Sequence, residues 1–317
     1  MSDADERLSR AIVLRVQKFS TDDGPGIRTT IRFKGCPMAC RWCHTPEGIS
    51  YRPELLYRPI RCIACHDCVD TCPNLALSAA SDHIDIDRRL CQICGTCAQT
   101  CPAGALEIIG RAYTVDALLE QILSDQVFYE PSGGGVTFTG GEAASQHRFL
   151  RLLASQCQDH EIHTTLETCL IHDWSTYRSL LQYIDLWHIN LKMMDARLHR
   201  EGTGQGVWGV LENARLLAAA HAHIWVRTPV IPGWSDTETN IRSIGEFIRE
   251  QLPTTERWEL MAATNPGEEK YRAQGEVFDP DPRPLLHPAK LNELAALART
   301  ACGGSVPVVT SGPTLVG

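Results

Sequence analysis

Downstream of residue 112 the chain alternates two hydrophobic patterns. Short apolar runs bounded by turn residues predict strands at 135–139, 162–167, 185–191, 224–228 and 258–261. Apolar positions recurring every three or four residues predict helices at 146–157, 210–220 and 241–251. With an opening strand at 29–34, the repeats number about six. Strands alternating with helices in this way build βαβ units and a parallel sheet. The expected fold class is therefore α/β, a partial (β/α)6 TIM-type barrel, because a closed barrel needs eight units. In both forms ligands sit at the carboxyl ends of the strands. Gly140-Gly141-Glu142, Glu167, Lys192 and Arg227 fall at such ends. Arg227 can face a ligand or pair with Glu167, and the pattern does not choose between them.

Between the opening strand and residue 113 the periodicity gives way to cysteine. The run Lys34-Gly35-Cys36-Pro37-Met38-Ala39-Cys40-Arg41-Trp42-Cys43-His44 is a CxxxCxxC triad. An iron-sulfur cluster normally takes four thiolates, so three close together with no nearby fourth point to an iron left open for chemistry, as in catalytic metal sites. A zinc knuckle or incidental buried thiols would be the alternatives. Zinc would need a further CxxC-type or His pair to complete its tetrahedron, and the cysteines downstream have a spacing that closes on itself.

Those cysteines are Cys62-x2-Cys65-x2-Cys68-x3-Cys72-Pro73 and Cys91-x2-Cys94-x2-Cys97-x3-Cys101-Pro102, two copies of the bacterial ferredoxin signature. In that signature the fourth cysteine ligates the other cluster. Cys62, Cys65, Cys68 and Cys101 are expected to hold one, and Cys91, Cys94, Cys97 and Cys72 the second. The domain reading is a ferredoxin-like insert at 51–112 within a barrel formed by 1–50 and 113–317. So small an insert has little core of its own, and metal binding would supply its folding free energy. Cys157, Cys169 and Cys302 remain. The simplest reading of these is structural, as small buried hydrophobes, with Cys169 open because it follows a strand end.

Composition narrows the setting. A formal charge of −8 over 317 residues argues against a nucleic-acid partner. Fourteen cysteines with no apolar segment after Met1-Ser2-Asp3-Ala4 do not read as a secreted disulfide scaffold. No apolar stretch nears the roughly 20 residues of a membrane span. A cytoplasmic protein in a reducing compartment is expected, with no membrane partner.

Taken together, Asp23-Gly24-Pro25-Gly26-Ile27-Arg28-Thr29, the triad with His44, Ser132-Gly133-Gly134-Gly135-Val136-Thr137, the Gly-Gly-Glu turn and Lys192 resemble the glycyl-radical-enzyme activating enzymes. These are radical SAM proteins similar to pyruvate formate-lyase activating enzyme, and the likeness covers nearly the whole chain. The insert matches the branch serving other glycyl radical enzymes, such as eliminases, decarboxylases and fumarate-adding synthases. The resemblance implies three 4Fe-4S clusters, one binding S-adenosylmethionine and two auxiliary. It implies reductive cleavage of that cosubstrate to methionine and a 5'-deoxyadenosyl radical, which takes hydrogen from a glycine of the partner enzyme. Cys36, Cys40 and Cys43 would ligate the first cluster, and Trp42 and His44 would pack on the adenine side. Gly140, Gly141 and Glu142 would bind the methionyl amino group and Lys192 its carboxylate, as a point charge. Asp23 would contact the partner's glycine-loop peptide. A flavodoxin or ferredoxin would donate electrons to a monomeric enzyme.

The chain departs from the family pattern in four places. Gly140-Gly141-Glu142 is followed by Ala143 rather than proline, Asn190-Leu191-Lys192 replaces Asp-Leu-Lys, and His44-Thr45-Pro46 replaces His-Asn-Pro. Where some relatives carry a cofactor-side histidine, Thr264 or Asn265 stands instead. The rival functions are a radical SAM enzyme acting directly on a small molecule, and a plain electron-transfer ferredoxin, which would leave the triad unexplained. The ligand reading makes a prediction. Cys36→Ala abolishes S-adenosylmethionine cleavage, whereas Cys62→Ala removes iron from the insert and leaves the first cluster visible by electron paramagnetic resonance. Cleavage surviving in Cys36→Ala would contradict it.

Overall fold

The structure is a computed structural model that describes residues 10–263, 268–276 and 285–315. Strands β1 (Arg10–Ser20) and β2 (Arg28–Phe33) open it as an antiparallel pair. The insert follows, with β3 (Glu54–Tyr57), β4 (Leu77–Ala79), β5 (Ile84–Ile86) and β6 (Leu106–Ile109). β7 (Arg111–Thr114) then returns to pair with β1. The remaining strands are β8 (Gly135–Gly140), β9 (His163–Thr168), β10 (Leu186–Asn190), β11 (Ile224–Val230), β12 (Thr255–Ala262) and β13 (Val308–Ser311).

Among the described residues the main sheet runs β13-β12-β11-β10-β9-β8-β2-β1-β7, parallel from β13 to β2. It is an open, partial barrel. The six expected strands are present, and three others join at the edges. β1 and β7 are antiparallel to their neighbours, so no βαβ rhythm announces them. β13 is four residues long and, among the described residues, pairs only with β12.

Each barrel strand has two different faces. One face carries Ile31, Phe33, Val136, Phe138, Leu166, Trp187, Ile189, Val226, Trp258 and Leu260 into the main hydrophobic core with the helices. The other is polar and bonded across strands. Arg28 donates to Thr137 Oγ1 at 2.6 Å and Thr165 Oγ1 at 2.9 Å, and Thr139 donates to Glu167 at 2.7 Å. A buried polar group must find such partners or cost stability. The helix Val115–Leu123, which follows β7, starts where Thr114 Oγ1 accepts the Ala117 N–H at 3.2 Å, an N-cap.

In the insert, β3 pairs with β6 and β4 with β5, all antiparallel. Its core is Leu55, Tyr57, Leu77, Ile84, Ala105 and Leu106 with the cysteines Cys68 and Cys97. Polar contacts help fasten it to the barrel. Arg88 donates to the carbonyls of Leu55 and Ala273, at 2.9 and 3.2 Å. Lys34, whose side chain is fully buried, donates to Glu54 at 2.7 Å and to the Glu47 carbonyl at 2.6 Å. Removing one member of a buried ion pair strands the other charge. Because Glu54 is partly exposed, Glu54→Ala is expected to cost about 2–3 kcal/mol, read as a lower denaturant midpoint. An unchanged midpoint would refute this role.

Candidate functional site

The site is built where β2 ends. Gly35 takes a φ of +98°, and a Cβ there would collide with the Tyr51 ring. The turn lets the cysteine loop double back, with Gly35 N–H bonding Gly48 O at 2.8 Å and Cys36 N–H bonding Ile49 O at 3.0 Å. Its far side is stitched by Ala39 and Arg41 N–H groups to the carbonyls of Thr203 and Gly202, each at 2.9 Å. Cys36, Cys40 and Cys43 are half-buried. Burial pushes all three thiols up, Cys40 to about 11, and neighbouring sulfurs add to the effect. A crowd of thiols that resists ionising alone is what a bound cation would stabilise as thiolates.

The Gly-Gly-Glu turn after β8 packs directly on this loop. Gly141 N–H donates to Phe33 O at 2.9 Å and Glu142 N–H to Gly35 O at 2.8 Å. A Cβ on Gly141 would strike the carbonyls of Gly48 and Gly35. The Glu142 side chain turns inward and is buried. It accepts the Cys169 N–H at 2.7 Å, the Thr168 hydroxyl at 2.8 Å and the Ala144 N–H at 3.2 Å. Burial raises its carboxyl, and these three donors work against that.

Lys192 follows β10, also buried, and its Nζ donates to Cys169 Sγ at 3.4 Å. Burial opposes its charge, but Cys169 and Cys40 outweigh that and raise the ammonium above the ordinary lysine range. An ammonium has three donors. Here its bonded partner among the described residues is a thiol, a weak acceptor, so the position suits an incoming carboxylate. Glycine turn, thiol triad and buried ammonium together fit a four-iron cluster with an amino acid chelated on it.

Below the mouth, Arg227 resolves to pairing. It donates to Glu167 at 3.1 Å, to Glu259 at 3.0 Å and to the Asp22 carbonyl at 2.6 Å. Burial alone would raise the Glu167 carboxyl, but Arg227 brings it down to about 2. Asn190 Nδ2 reaches Glu167 at 3.5 Å. Asp23, also buried, accepts from Ser20, Thr30 and Arg32 at 2.7, 2.7 and 3.3 Å.

Other residues sit differently. Trp42 packs with Met193 and Ile231 and lies 5.4 Å from the Trp234 ring, behind the loop. Leu191 joins the helix-side core and donates its N–H to Arg227 O at 3.0 Å. His44 is exposed, and its carbonyl accepts from Lys270 at 2.7 Å. Thr264 and Asn265 lie outside the described residues. Cys157 and Cys302 are wholly buried in the main core, whereas Cys169 stands at the mouth. Sequence reasoning left the part of Cys169 open and missed that of Tyr271, whose hydroxyl donates to Cys43 O at 3.1 Å. For Cys169 the signal was available, since it follows a strand's carboxyl end.

In the insert, Cys62, Cys65, Cys68 and Cys101 line one small cavity. Cys72, Cys91, Cys94 and Cys97 line another. Each quartet thus lends its fourth cysteine to the other's cavity.

Residues 61–105 match the 4Fe-4S dicluster domain and 88–242 the Radical SAM superfamily. The isethionate sulfite-lyase activating enzyme of Oleidesulfovibrio alaskensis is 39% identical over 79% of this chain and 83% of its own length. The benzylsuccinate synthase activating enzyme of Thauera aromatica is 38% identical, over 83% and 82%. The choline trimethylamine-lyase activating enzyme of O. alaskensis is 33% identical, over 92% and 95%. A solved spore photoproduct lyase shares the fold with a TM-score of 0.52 at 10% identity, over 94% of this chain and 79% of that one.

Fold and site define a radical SAM protein that uses iron-sulfur clusters and S-adenosylmethionine. Within that superfamily the chain belongs to the glycyl-radical-enzyme activating enzymes. No helix among the described residues is long and apolar enough to cross a membrane.

The packing at Glu142 carries a prediction. Glu142→Ala orphans buried donors on Thr168 and Cys169, so a loss of about 2–4 kcal/mol is expected, measured by denaturant unfolding under anaerobic conditions. A loss below about 0.5 kcal/mol, the range of ordinary surface substitutions, would show that the carboxylate does not hold the mouth.

Proposed function

We propose that Cys36, Cys40 and Cys43 hold a four-iron cluster with one iron left for S-adenosylmethionine. Lys192 then pairs with the cosubstrate's carboxylate, and the turn Gly140-Gly141-Glu142 receives its amino group. Glu142 acts through position, fixing the turn and the Cys169 backbone. Trp42 backs the cysteine loop, and the exposed His44, with Asn190 and the backbone of Leu191, frames the adenine and carboxylate sides. When bound, the cluster and cosubstrate supply one-electron cleavage of a carbon-sulfur bond and hydrogen abstraction.

The chain's own residues orient that chemistry toward a partner. Arg227 ties Glu167 and Glu259 to the Asp22 carbonyl, so the loop carrying Asp23 is held at the open side of the barrel. An extended glycine-bearing peptide of the partner enzyme enters there and meets Asp23. The insert, residues 51–112, carries two further four-iron clusters, one on Cys62, Cys65, Cys68 and Cys101, the other on Cys72, Cys91, Cys94 and Cys97. This makes three clusters in all. They relay electrons from a flavodoxin or ferredoxin to the barrel unit, residues 1–50 and 113–317, in a monomeric cytoplasmic enzyme.

The observation that carries this reading is Lys192, an ammonium buried beside the thiol triad whose bonded partner is a thiol. Lys192→Met is expected to raise the KM for S-adenosylmethionine at least about tenfold, the loss of one charge-assisted bond, with cluster content unchanged. The function itself is tested by anaerobic incubation with S-adenosylmethionine, reductant and a candidate glycyl radical protein. A glycine-centred doublet by electron paramagnetic resonance is expected, with 5'-deoxyadenosine released. Cosubstrate cleavage coupled instead to a small molecule, with no protein radical in any candidate partner, would favour the rival reading.

A further inference from the structure

The two cysteine-lined cavities stand in line along the β3–β6 pair, and the line has a direction. The end of the pair bearing Glu54 and Ile109 is anchored on the barrel. Glu54 binds Lys34, two residues before Cys36, and Gly110 packs on the Lys34 stem. Leu55 opposite Ile108 comes next and lines the cavity of Cys72, Cys91, Cys94 and Cys97. Tyr57 opposite Leu106 comes last and lines the cavity of Cys62, Cys65, Cys68 and Cys101. A two-residue advance along a strand is about 6–7 Å. The Cys62 set is therefore the outer one.

The surface around that outer set joins exposed apolar side chains to cations. Ile60 is 84% exposed and Ile63 65%, on either side of Cys62 and next to the exposed Cys65. Arg58 and Arg61 flank Ile60 and line a groove of about 690 Å³ that runs back to His44 and Thr45. Arg15, Arg32 and Lys270 line it too, so the groove holds five cations against its own Glu47 and Glu107, with Arg32 paired to Asp23 outside it. Among the described residues the Arg15 and Arg61 side chains have no carboxylate partner. In a chain of net charge −8, exposed isoleucines beside Arg61 and Arg58, the latter paired with Glu107, are complementary to a partner with an apolar centre and an acidic rim.

We propose that this face, Ile60, Arg61 and Ile63 with Arg58 and Arg15, docks an acidic one-electron carrier protein. Electrons then pass from the Cys62 set to the Cys72 and Cys91 set and on to the triad. The proposal rests on the reading above, in which both quartets hold iron-sulfur clusters. Each transfer oxidises the carrier by one electron and reduces the outer centre by one. No proton or group moves with it, and one electron is consumed for each S-adenosylmethionine cleaved.

The test uses the full-length holoprotein and stopped-flow bleaching of its visible absorbance. Fully reduced flavodoxin is the protein donor, and dithionite is the small reductant that needs no docking. The quantity read is the flavodoxin rate divided by the dithionite rate of the same variant. Arg61→Glu with Ile63→Asp should lower that ratio at least about tenfold, and Arg15→Glu, outside the insert, about threefold. In the wild type the flavodoxin rate should fall as salt rises, and less steeply in Arg61→Glu. Leu75→Glu with Leu90→Glu, exposed positions beside Cys72 and Cys91, should leave the ratio unchanged. If that second pair lowers the ratio, or neither pair does, electrons enter elsewhere and the proposal fails. It also fails if Arg61→Glu weakens binding of the glycyl radical protein while reduction by flavodoxin is intact. A wild-type protein that is reduced yet never cleaves S-adenosylmethionine would overturn the functional reading instead, and the docking result would still stand on its own.

Discussion

One buried carboxylate ties the mouth of the barrel together. Glu142 accepts bonds from the last residue of β9 and the one after it, while its own N–H binds the carbonyl of Gly35. Three strand ends, β2, β8 and β9, are thereby locked to one another. The cysteine loop hangs from the first, the glycine turn from the second and Cys169 from the third. Because Cys169 is the partner of Lys192, the ammonium after β10 is placed through the same carboxylate. An acid buried in this way costs desolvation free energy, which only a full set of donors offsets. That is why a glutamate, and not a hydrophobe, stands at the turn.

The polar face of the sheet follows a similar logic at larger scale. A closed barrel fills its interior with branched apolar side chains, but an open one presents its inner face to whatever enters. Here Arg28, Thr137, Thr139, Thr165, Glu167, Arg227 and Glu259 satisfy one another across five strands. His188 lies among them, stacked on Trp225 at 5.1 Å and held neutral, since burial and then Arg227 push its pKa well below the usual histidine value. Such a network fixes shape without hydrophobic filling. It also fixes the Asp22–Asp23 loop through a single guanidinium.

Much of this was legible in the chain. The helix-side residues of β8 to β12 produce the apolar runs, so periodicity located those strands within a residue or two, apart from β12, which starts three residues earlier than 258. The convergence of the cysteine triad, Gly141 and Lys192 followed from their place at strand ends. Other features were hidden because their causes lie far away in sequence. β1 and β7 exist through antiparallel pairing across the whole insert. The inward turn of Glu142 depends on donors 26 and 27 residues downstream. The packing of Trp42 depends on Met193 and Trp234, which close over it from far along the chain. The choice for Arg227 needed the register that sets it beside both Glu167 and Glu259.

The central claim is that the triad leaves one metal corner to S-adenosylmethionine and that Lys192 guides its carboxylate there. Electron-nuclear double resonance of the reduced protein, with cosubstrate labelled by nitrogen-15 at the amino group and oxygen-17 at the carboxylate, tests this most directly. Both labels should couple to the cluster in the wild type, and the carboxylate coupling should weaken in Lys192→Met. Absence of both couplings in a protein that carries its full iron content would contradict the account.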